Sequence, residues 1–423
     1  MDVLALADQL WRGEVTTAAH HPVTHSGGLA EVGDRTAFIP SFANVSAFAT
    51  DEGLVLVDTG SQFFARFVHD ELRAWTAAAL HTAVYSHGHI DHVFGVPAFD
   101  EEAEHEGWVR PHVIAHEALP HRFDRYILTA GYNEIINQRQ FQAPGLRWPT
   151  EYRYPDETYA DHHHLEIGGE RIELHHARGE TDDHTWTWIP GRKVLCCGDL
   201  FIWASPNAGN PQKVQRFPIE WARACRDMAN LGAEVILPGH GLPVIGADRV
   251  RQALDDTAEM LESLHDQTLV LMNAGARLDE IIHTVVAPAH LLEKPYLQPV
   301  YDEPEFVVRN TWRLYGGWYD GNPATLKPAR EAALANELAT LAGGAGVLAE
   351  RAAALAEAGD DASLRLAGHL AELATLADPD SAAAHAVRRD VFRLRAAAAT
   401  STMAKGIFGW AAHESEAKAG GTH

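Results

Sequence analysis

Short apolar or β-branched runs at 36–39, 45–50 and 54–58, broken by Gly53 and closed by Thr59-Gly60, predict a β-meander that ends at a strand-to-loop junction. Apolar residues then recur at helical spacing over 63–79, and 83–86 reverts to a short strand. Further strands are expected at 113–115, 170–175, 185–189, 193–197 and 235–237, with a helix over 219–231. This alternation predicts an α/β sandwich. Residues 117–161 break the rhythm: periodicity is poor and aromatic, proline and arginine residues are frequent, as in a long insertion over a site. After Gly246 the texture becomes helical. Val250, Leu254, Leu261, Leu264, Thr268 and Leu271 follow a three-to-four spacing that ends near Gly275. Beyond Pro328, alanine-rich segments separated by Gly343-Gly344, Gly359-Asp360-Asp361 and Asp378-Pro379-Asp380 read as packed helical hairpins without a complete tetratricopeptide-like signature.

Composition narrows the classes. A chain of 423 residues, 46% hydrophobic and 22% charged, suits an ordinary globular protein of about two domains. Its 34 basic and 58 acidic residues give a net charge of −24, which opposes binding to nucleic acid or anionic lipid. Apolar runs such as 54–57 fall far short of the roughly 20 residues a membrane helix needs. The first twelve residues carry acids and do not read as a secretion signal, so the expected compartment is the cytoplasm, with no membrane partner. Three cysteines, two of them adjacent at Cys196-Cys197, make no disulfide framework. The 26 histidines say more by position than by number.

Ser86-His87-Gly88-His89-Ile90-Asp91-His92 follows directly on a predicted strand. Alternation sets His87 and His89 side by side, while the tight loop turns Asp91 and His92 toward a second position. Four donors within six residues can therefore serve two metal ions. Nitrogen and oxygen donors suit zinc, with iron or manganese as alternatives. His162-His163-His164, by contrast, reads as a solvated loop.

The motif resembles the HxHxDH signature of the metallo-β-lactamase superfamily, and the resemblance runs over about residues 30–245. Asn44 to Gly60 looks like that family's opening hairpin, Lys193-Val194-Leu195-Cys196-Cys197-Gly198-Asp199 like the strand leading to a bridging aspartate, and Pro238-Gly239-His240-Gly241 like the last histidine ligand. The resemblance implies an αββα sandwich in which His87 and His89 hold one metal, Asp91, His92 and His240 the other, and Asp199 bridges them. Where most members have glycine-histidine-threonine, this chain has Gly179-Glu180-Thr181-Asp182-Asp183-His184, which gives Glu180 the third position at the first metal. His176 or His184 is the alternative. A glutamate there resembles the alkylsulfatase branch. The stretch Val308 to Ala324, with its Trp318-Tyr319-Asp320-Gly321-Asn322-Pro323 core, looks like part of the alkylsulfatase dimerisation domain; read without the family it is a turn-rich aromatic linker packed under helices.

The expected organisation is a catalytic domain over 1–245, an all-α dimerisation domain over 246–413 and a flexible tail over 414–423, without the sterol-carrier-like domain of the larger alkylsulfatases. Two departures bear on substrate. The bridge is aspartate rather than glutamate, and the segment after it, Leu200 to Asn207, lacks the usual sulfate-binding arginine pattern; Lys213 or Arg216 is the expected replacement. Two divalent ions, three carboxylates and one hydroxide make a formally neutral cluster, with metal-held water as the source of that hydroxide. Asp91 and Asp199 are then the catalytic carboxylates. Arg139, Lys213, Arg216 and Arg313 are candidate anion clamps, and Trp203, Tyr132 and the aromatic residues around Trp318 candidate walls of an apolar tail pocket. The reading is a homodimeric dinuclear hydrolase of a small ester, foremost an alkyl or aryl sulfate monoester. A phosphate ester, a lactone or di-iron oxygenase chemistry are the alternatives.

Overall fold

Short apolar strands, buried on both faces at β2 and β4, build the first sheet of the computed structural model, which describes residues 2–24 and 26–420. Its strands run in chain order: β1 (Ala30–Gly33), β2 (Thr36–Ile39), β3 (Val45–Ala49), β4 (Leu54–Val57), β5 (Leu80–Val84), β6 (His112–His116) and β7 (Glu157–Tyr159). The first four pair antiparallel and the last four parallel. The second sheet contains β8 (His162–Ile167), β9 (Glu170–His176), β10 (Thr185–Ile189), β11 (Val194–Gly198), β12 (Val235–Pro238) and β13 (Val244–Ile245), in the order β13-β12-β11-β10-β9-β8. Only β11 and β12 pair parallel there.

Period two sorts each strand between layers. Val55 and Val57 of β4 and Phe48 of β3 join Leu174, Trp186 and Leu195 in the core between the sheets. Leu54, Leu56, Val45 and Ala47 face the other way, against Val68, Leu72, Phe99 and Phe123 of helices Ala65–Trp75, Val96–Glu106 and Leu119–Leu128. On the far side of the second sheet, Trp221, Cys225 and Met228 of helix Pro218–Ala229 and Leu254 and Leu261 of helix Ala247–Asn273 pack in a cluster continuous with that core. The layers are αββα, as expected.

The sequence expectation fails in three places. The 117–161 stretch holds two helices, Leu119–Leu128 and Ala130–Phe141, because Leu119, Phe123 and Tyr126 form a buried i, i+4, i+7 stripe that its prolines and arginines obscure. His162-His163-His164 is not a loop but the start of β8, where His162, His163 and His164 pair with His175, Leu174 and Glu173. The supposed linker at 308–324 begins as helix Pro304–Gly316, which buries Val307, Val308, Asn310 and Thr311 and stops at Gly317 with φ 77°.

The chain divides into two compact units. The first comprises residues 1–130 and 149–318, so helices Ala247–Asn273 and Pro304–Gly316 belong to it, through the core they share with β10 and β11. The second comprises 131–148 and 319–423. It packs Glu331–Ala342, Ala345–Ala356, Asp361–Ala377, Ala382–Ala398 and Thr402–Glu416, and the last three start on Asp360, Ser381 and Ser401, whose side chains accept the N–H three residues on. Alanines 352, 367, 371 and 374 let these helices approach closely. Of the expected flexible tail at 414–423, the first three residues complete helix Thr402–Glu416 and the last three lie outside the described residues. Among the described residues no single helix is long and apolar enough to cross a membrane.

Candidate metal centre

Four strand ends of the first unit converge on one point. β4 delivers Asp58 and β5 delivers Ser86 and the histidine loop, while parallel β11 and β12 deliver Asp199 and His240. Parallel neighbours open their carboxyl ends on the same side, which is where α/β sheets place ligands. Asp58, 2% exposed, fixes the loop: it accepts Ser86 N–H at 2.7 Å, Ser86 Oγ at 2.7 Å and His92 Nδ1 at 2.7 Å. With Nδ1 so held, His92 Nε2 faces the site. The Phe42 carbonyl performs the matching service for His240, accepting from Nδ1 at 2.5 Å, and Asn44 fixes the loop around it by donating through Nδ2 to the carbonyls of Pro238 and Gly241 at 3.0 and 2.9 Å. Gly239 is obligatory between them, since a Cβ there would lie 2.2 Å from Asp199 Oδ1.

Two donor groups result. His87, His89, Glu180 and Asp199 bring their donor atoms within 4.8 Å of one another, and so do Asp91, His92 and His240. Glu180 Oε2 lies 3.5 Å from both His87 Nε2 and His89 Nδ1. Asp199 reaches into both groups: Oδ2 is 3.8 Å from His87 Nε2 and 3.3 Å from His240 Nε2, and Oδ1 is 3.5 Å from His92 Nε2. Asp91 Oδ2 lies 3.6 Å from His92 Nε2 and 3.4 Å from His240 Nε2.

These spacings test the fit to metal. Donors about 2.1 Å from one tetrahedral ion lie roughly 3.4 Å apart, close to the 3.3–3.8 Å between carboxylates and imidazoles here, whereas His87 Nε2 and His89 Nδ1 stand closer, at 2.7 Å. Glu180 Oε2, Asp199 Oδ1 and His92 Nε2 are buried without a hydrogen-bond partner, a condition that in a native interior calls for another ligand. Charge agrees. Burial and the neighbouring imidazoles hold His87 well below the usual histidine range, and burial with the Arg216 cation does the same for His89, leaving both as neutral donors. Burial also disfavours charge on His92 and Asp199, yet each is overruled: Asp58 and Asp199 raise His92 to about 10, and His240 and His92 hold Asp199 well below the usual carboxylate range. Burial pushes Glu180 up to about 8 against the pull of Arg216. A nitrogen and carboxylate set of this kind suits divalent ions.

The alternatives to Glu180 point elsewhere. His176 Nδ1 donates to the His184 carbonyl at 3.0 Å and its ring stacks on His116, centroids 3.6 Å apart. His184 Nε2 accepts Asp199 N–H at 3.1 Å. Neither joins a donor group.

Comparison with known proteins follows this geometry. Residues 39–240 match the metallo-β-lactamase superfamily. The matched stretch, just under half of the chain, holds every residue of both donor groups. Residues 277–418 match the alkyl sulfatase dimerisation family. It is 30% identical over 321 residues to a linear primary-alkylsulfatase of a Pseudomonas species, covering 69% of this chain and 59% of the relative. An (R)-specific secondary-alkylsulfatase, also from Pseudomonas, is 27% identical over 383 residues, with 82% and 56% covered. The fold is shared with a stereoselective inverting sec-alkylsulfatase from Pseudomonas at TM-score 0.82 and 24% identity, over 93% of this chain and 66% of that one. The chain thus spans under three-fifths of the length of the two curated relatives.

The other residues named from sequence scatter. Lys213 is half-buried near the centre, where burial and Arg216 bring its ammonium down to about 8 against Asp91 and Glu180. Arg216 is turned to Glu180, with Nη1 on its backbone carbonyl and Nη2 3.3 Å from Oε1. Arg313 donates to Gln215 Oε1 at 3.0 Å. Trp203 is core, 1% exposed, with Nε1 donating to the Leu242 carbonyl at 2.6 Å. Arg139 and Tyr132 fall in the second unit, with Tyr132 62% exposed, and Trp318 is 71% exposed.

Several partners escaped the sequence reading. Asn207 donates to Glu180 Oε1. Arg122, 2% exposed, donates to Asp182 and, at 2.8 Å, to Asp183, whose other oxygen accepts Gly88 N–H at 2.9 Å. Tyr301 is raised well above the usual phenol range by burial and by Glu180, Asp91 and Asp199. Asp182 and Asp183 lay within the quoted Gly179 to His184 motif and Asn207 closed the quoted segment after Asp199, but none had a local signal of its role.

Proposed function

We propose that the chain is a metal-dependent hydrolase of organic sulfate monoesters, with His87, His89 and Glu180 at one metal, Asp91, His92 and His240 at the other and Asp199 between them. The observation that carries this reading is the meeting of Glu180 with His87, His89 and Asp199, in a chain whose relatives are named alkylsulfatases. Zinc is the favoured ion for such donors. Two bound divalent ions would acidify water and polarise the ester oxygens. The chain's own part is to orient and to exclude water. Asp58 aims His92, Asn44 fixes the His240 loop, and Lys213, beside Asp91 and Glu180, supplies the cation nearest to replacing the family's anion-binding arginine. The three buried free thiols fit a reducing compartment such as the cytoplasm.

The deciding measurement is a panel of alkyl sulfates, aryl sulfates, phosphodiesters and lactones, run with the natively bound metal and accompanied by elemental analysis. About two ions per chain and a clear preference for a sulfate ester are expected. Preference for a phosphodiester or lactone defeats the sulfatase reading, and an iron-loaded protein that consumes oxygen replaces it with oxygenase chemistry.

The helices matching the dimerisation family carry exposed Leu334, Leu341, Val347 and Leu366, which suits a homodimer formed through them. Light scattering is expected to give twice the 46.3 kDa chain mass; a monomer at working concentration refutes the dimer.

A further inference from the structure

We propose that Arg216 and Asn207 are positioning residues that commit Glu180 to holding a metal ion through Oε2 alone, an inference that rests on the dinuclear centre proposed above. Glu180 is 1% exposed and its two oxygens have unlike surroundings. Oε1 receives Asn207 Nδ2 and lies 3.3 Å from Arg216 Nη2. Oε2 has no hydrogen-bond donor and faces His87 and His89 at 3.5 Å. The backbone is held as well, since Arg216 Nη1 donates to the Glu180 carbonyl.

The clamp is itself built. Asn310 of helix Pro304–Gly316 accepts Arg216 N–H at 3.3 Å and donates to the Arg216 carbonyl at 3.0 Å, fixing the residue from both sides. Asn207 stands on the loop that begins with Asp199, and Asp302 anchors that loop by accepting Gly209 N–H at 2.7 Å. The segment that brings the shared aspartate therefore also brings the group that caps Glu180. Arg216 is 1% exposed; Nη1 bonds the Glu180 backbone and Nη2 stands in ion-pair range of its carboxylate, while Nε has no hydrogen-bond partner.

The chemical consequence is denticity. A glutamate with both oxygens free can chelate a cation bidentately, as at sites of high coordination number. With Oε1 capped, it offers one donor, which favours the four-coordinate geometry preferred by zinc over the higher coordination of harder ions.

The test is cobalt substitution of the wild-type protein, Asn207→Ala and Arg216→Lys. Stoichiometry and affinity are read by chelator competition, coordination by visible absorption, and folding by the melting of the metal-free proteins. Asn207→Ala is expected to bind one of its two ions on the order of 10–100-fold more weakly and to lose visible absorption as that ion gains a donor, with the other ion unchanged. Arg216→Lys, which keeps the charge and loses the planar fork, is expected to fall between. If Arg216→Lys does not fold, Asn207→Ala decides. Two ions at wild-type affinity with an unaltered spectrum in Asn207→Ala overturn the clamp and leave the dinuclear reading intact. A raised KM for an alkyl sulfate in Arg216→Lys with metal binding unchanged also overturns it, by assigning Arg216 to the substrate. A wild-type protein that binds no ion removes the dinuclear centre and the clamp together.

Discussion

Asp199→Ala is expected to release both metal ions and to lower kcat/KM by on the order of a thousandfold or more, since several kcal/mol of transition-state stabilisation depend on the ions. No other carboxylate in the site approaches His87, His92 and His240 together, at 3.8, 3.5 and 3.3 Å. Its removal leaves three buried imidazoles without the charge that organises them, so added metal should restore little. Asp91→Ala, by contrast, touches only the His92 and His240 side and should empty one position. Metal content by mass spectrometry alongside steady-state kinetics distinguishes the two. Asp199→Ala retaining both ions would show that the carboxylate is not shared.

The second large effect belongs to a residue that touches no donor group in the metal sense. Asp58→Ala removes three hydrogen bonds to a buried carboxylate, leaving Ser86 N–H and His92 Nδ1 unmet and Ser86 Oγ with His87 Nδ1, at 3.0 Å, as its remaining partner. Truncating one partner of such a buried arrangement costs about 3–5 kcal/mol, and loss of the group that orients a metal-binding histidine weakens metal binding about 10–100-fold. Urea unfolding of the metal-free protein isolates the first effect, and chelator competition the second. Asp58→Asn, which retains one acceptor oxygen for Ser86 N–H, should recover part of the stability and less of the metal affinity. Wild-type stability in Asp58→Ala would show that the loop is held by its other contacts.

The layers of the fold were legible because strands and helices here announce themselves by local period. Val55 and Leu56 lie on opposite faces of β4 and are sorted by alternation alone. The donor residues were legible for a similar reason: four stand in one loop, and Asp199 and His240 directly follow short apolar strands. Glu180 has no such signal from its residues and was separated from His176 and His184 by resemblance. What stayed hidden depends on distance along the chain. Asn207 meets Glu180 across 27 residues, and Arg122 meets Asp183 across 61, with no periodicity to connect them. Aromatic residues misled for a different reason. Trp203 has the same composition signal whether it lines a pocket or, as here, hydrogen bonds within the core. The stripe at Leu119, Phe123 and Tyr126 was masked by charged neighbours, although one of those, Arg122, is buried.

That buried guanidinium changes what the inserted helix Leu119–Leu128 is free to become. Arg122 joins it to Asp182 and Asp183 beyond Glu180, and Asp183 in turn holds Gly88 between His87 and His89. A Cβ at Gly88 would lie 2.8 Å from Arg122 Cδ, so the packing is as close as the charge pairing. The insertion is thus a keystone rather than a lid: swapping the helix wholesale would unfasten both halves of the first donor group at once.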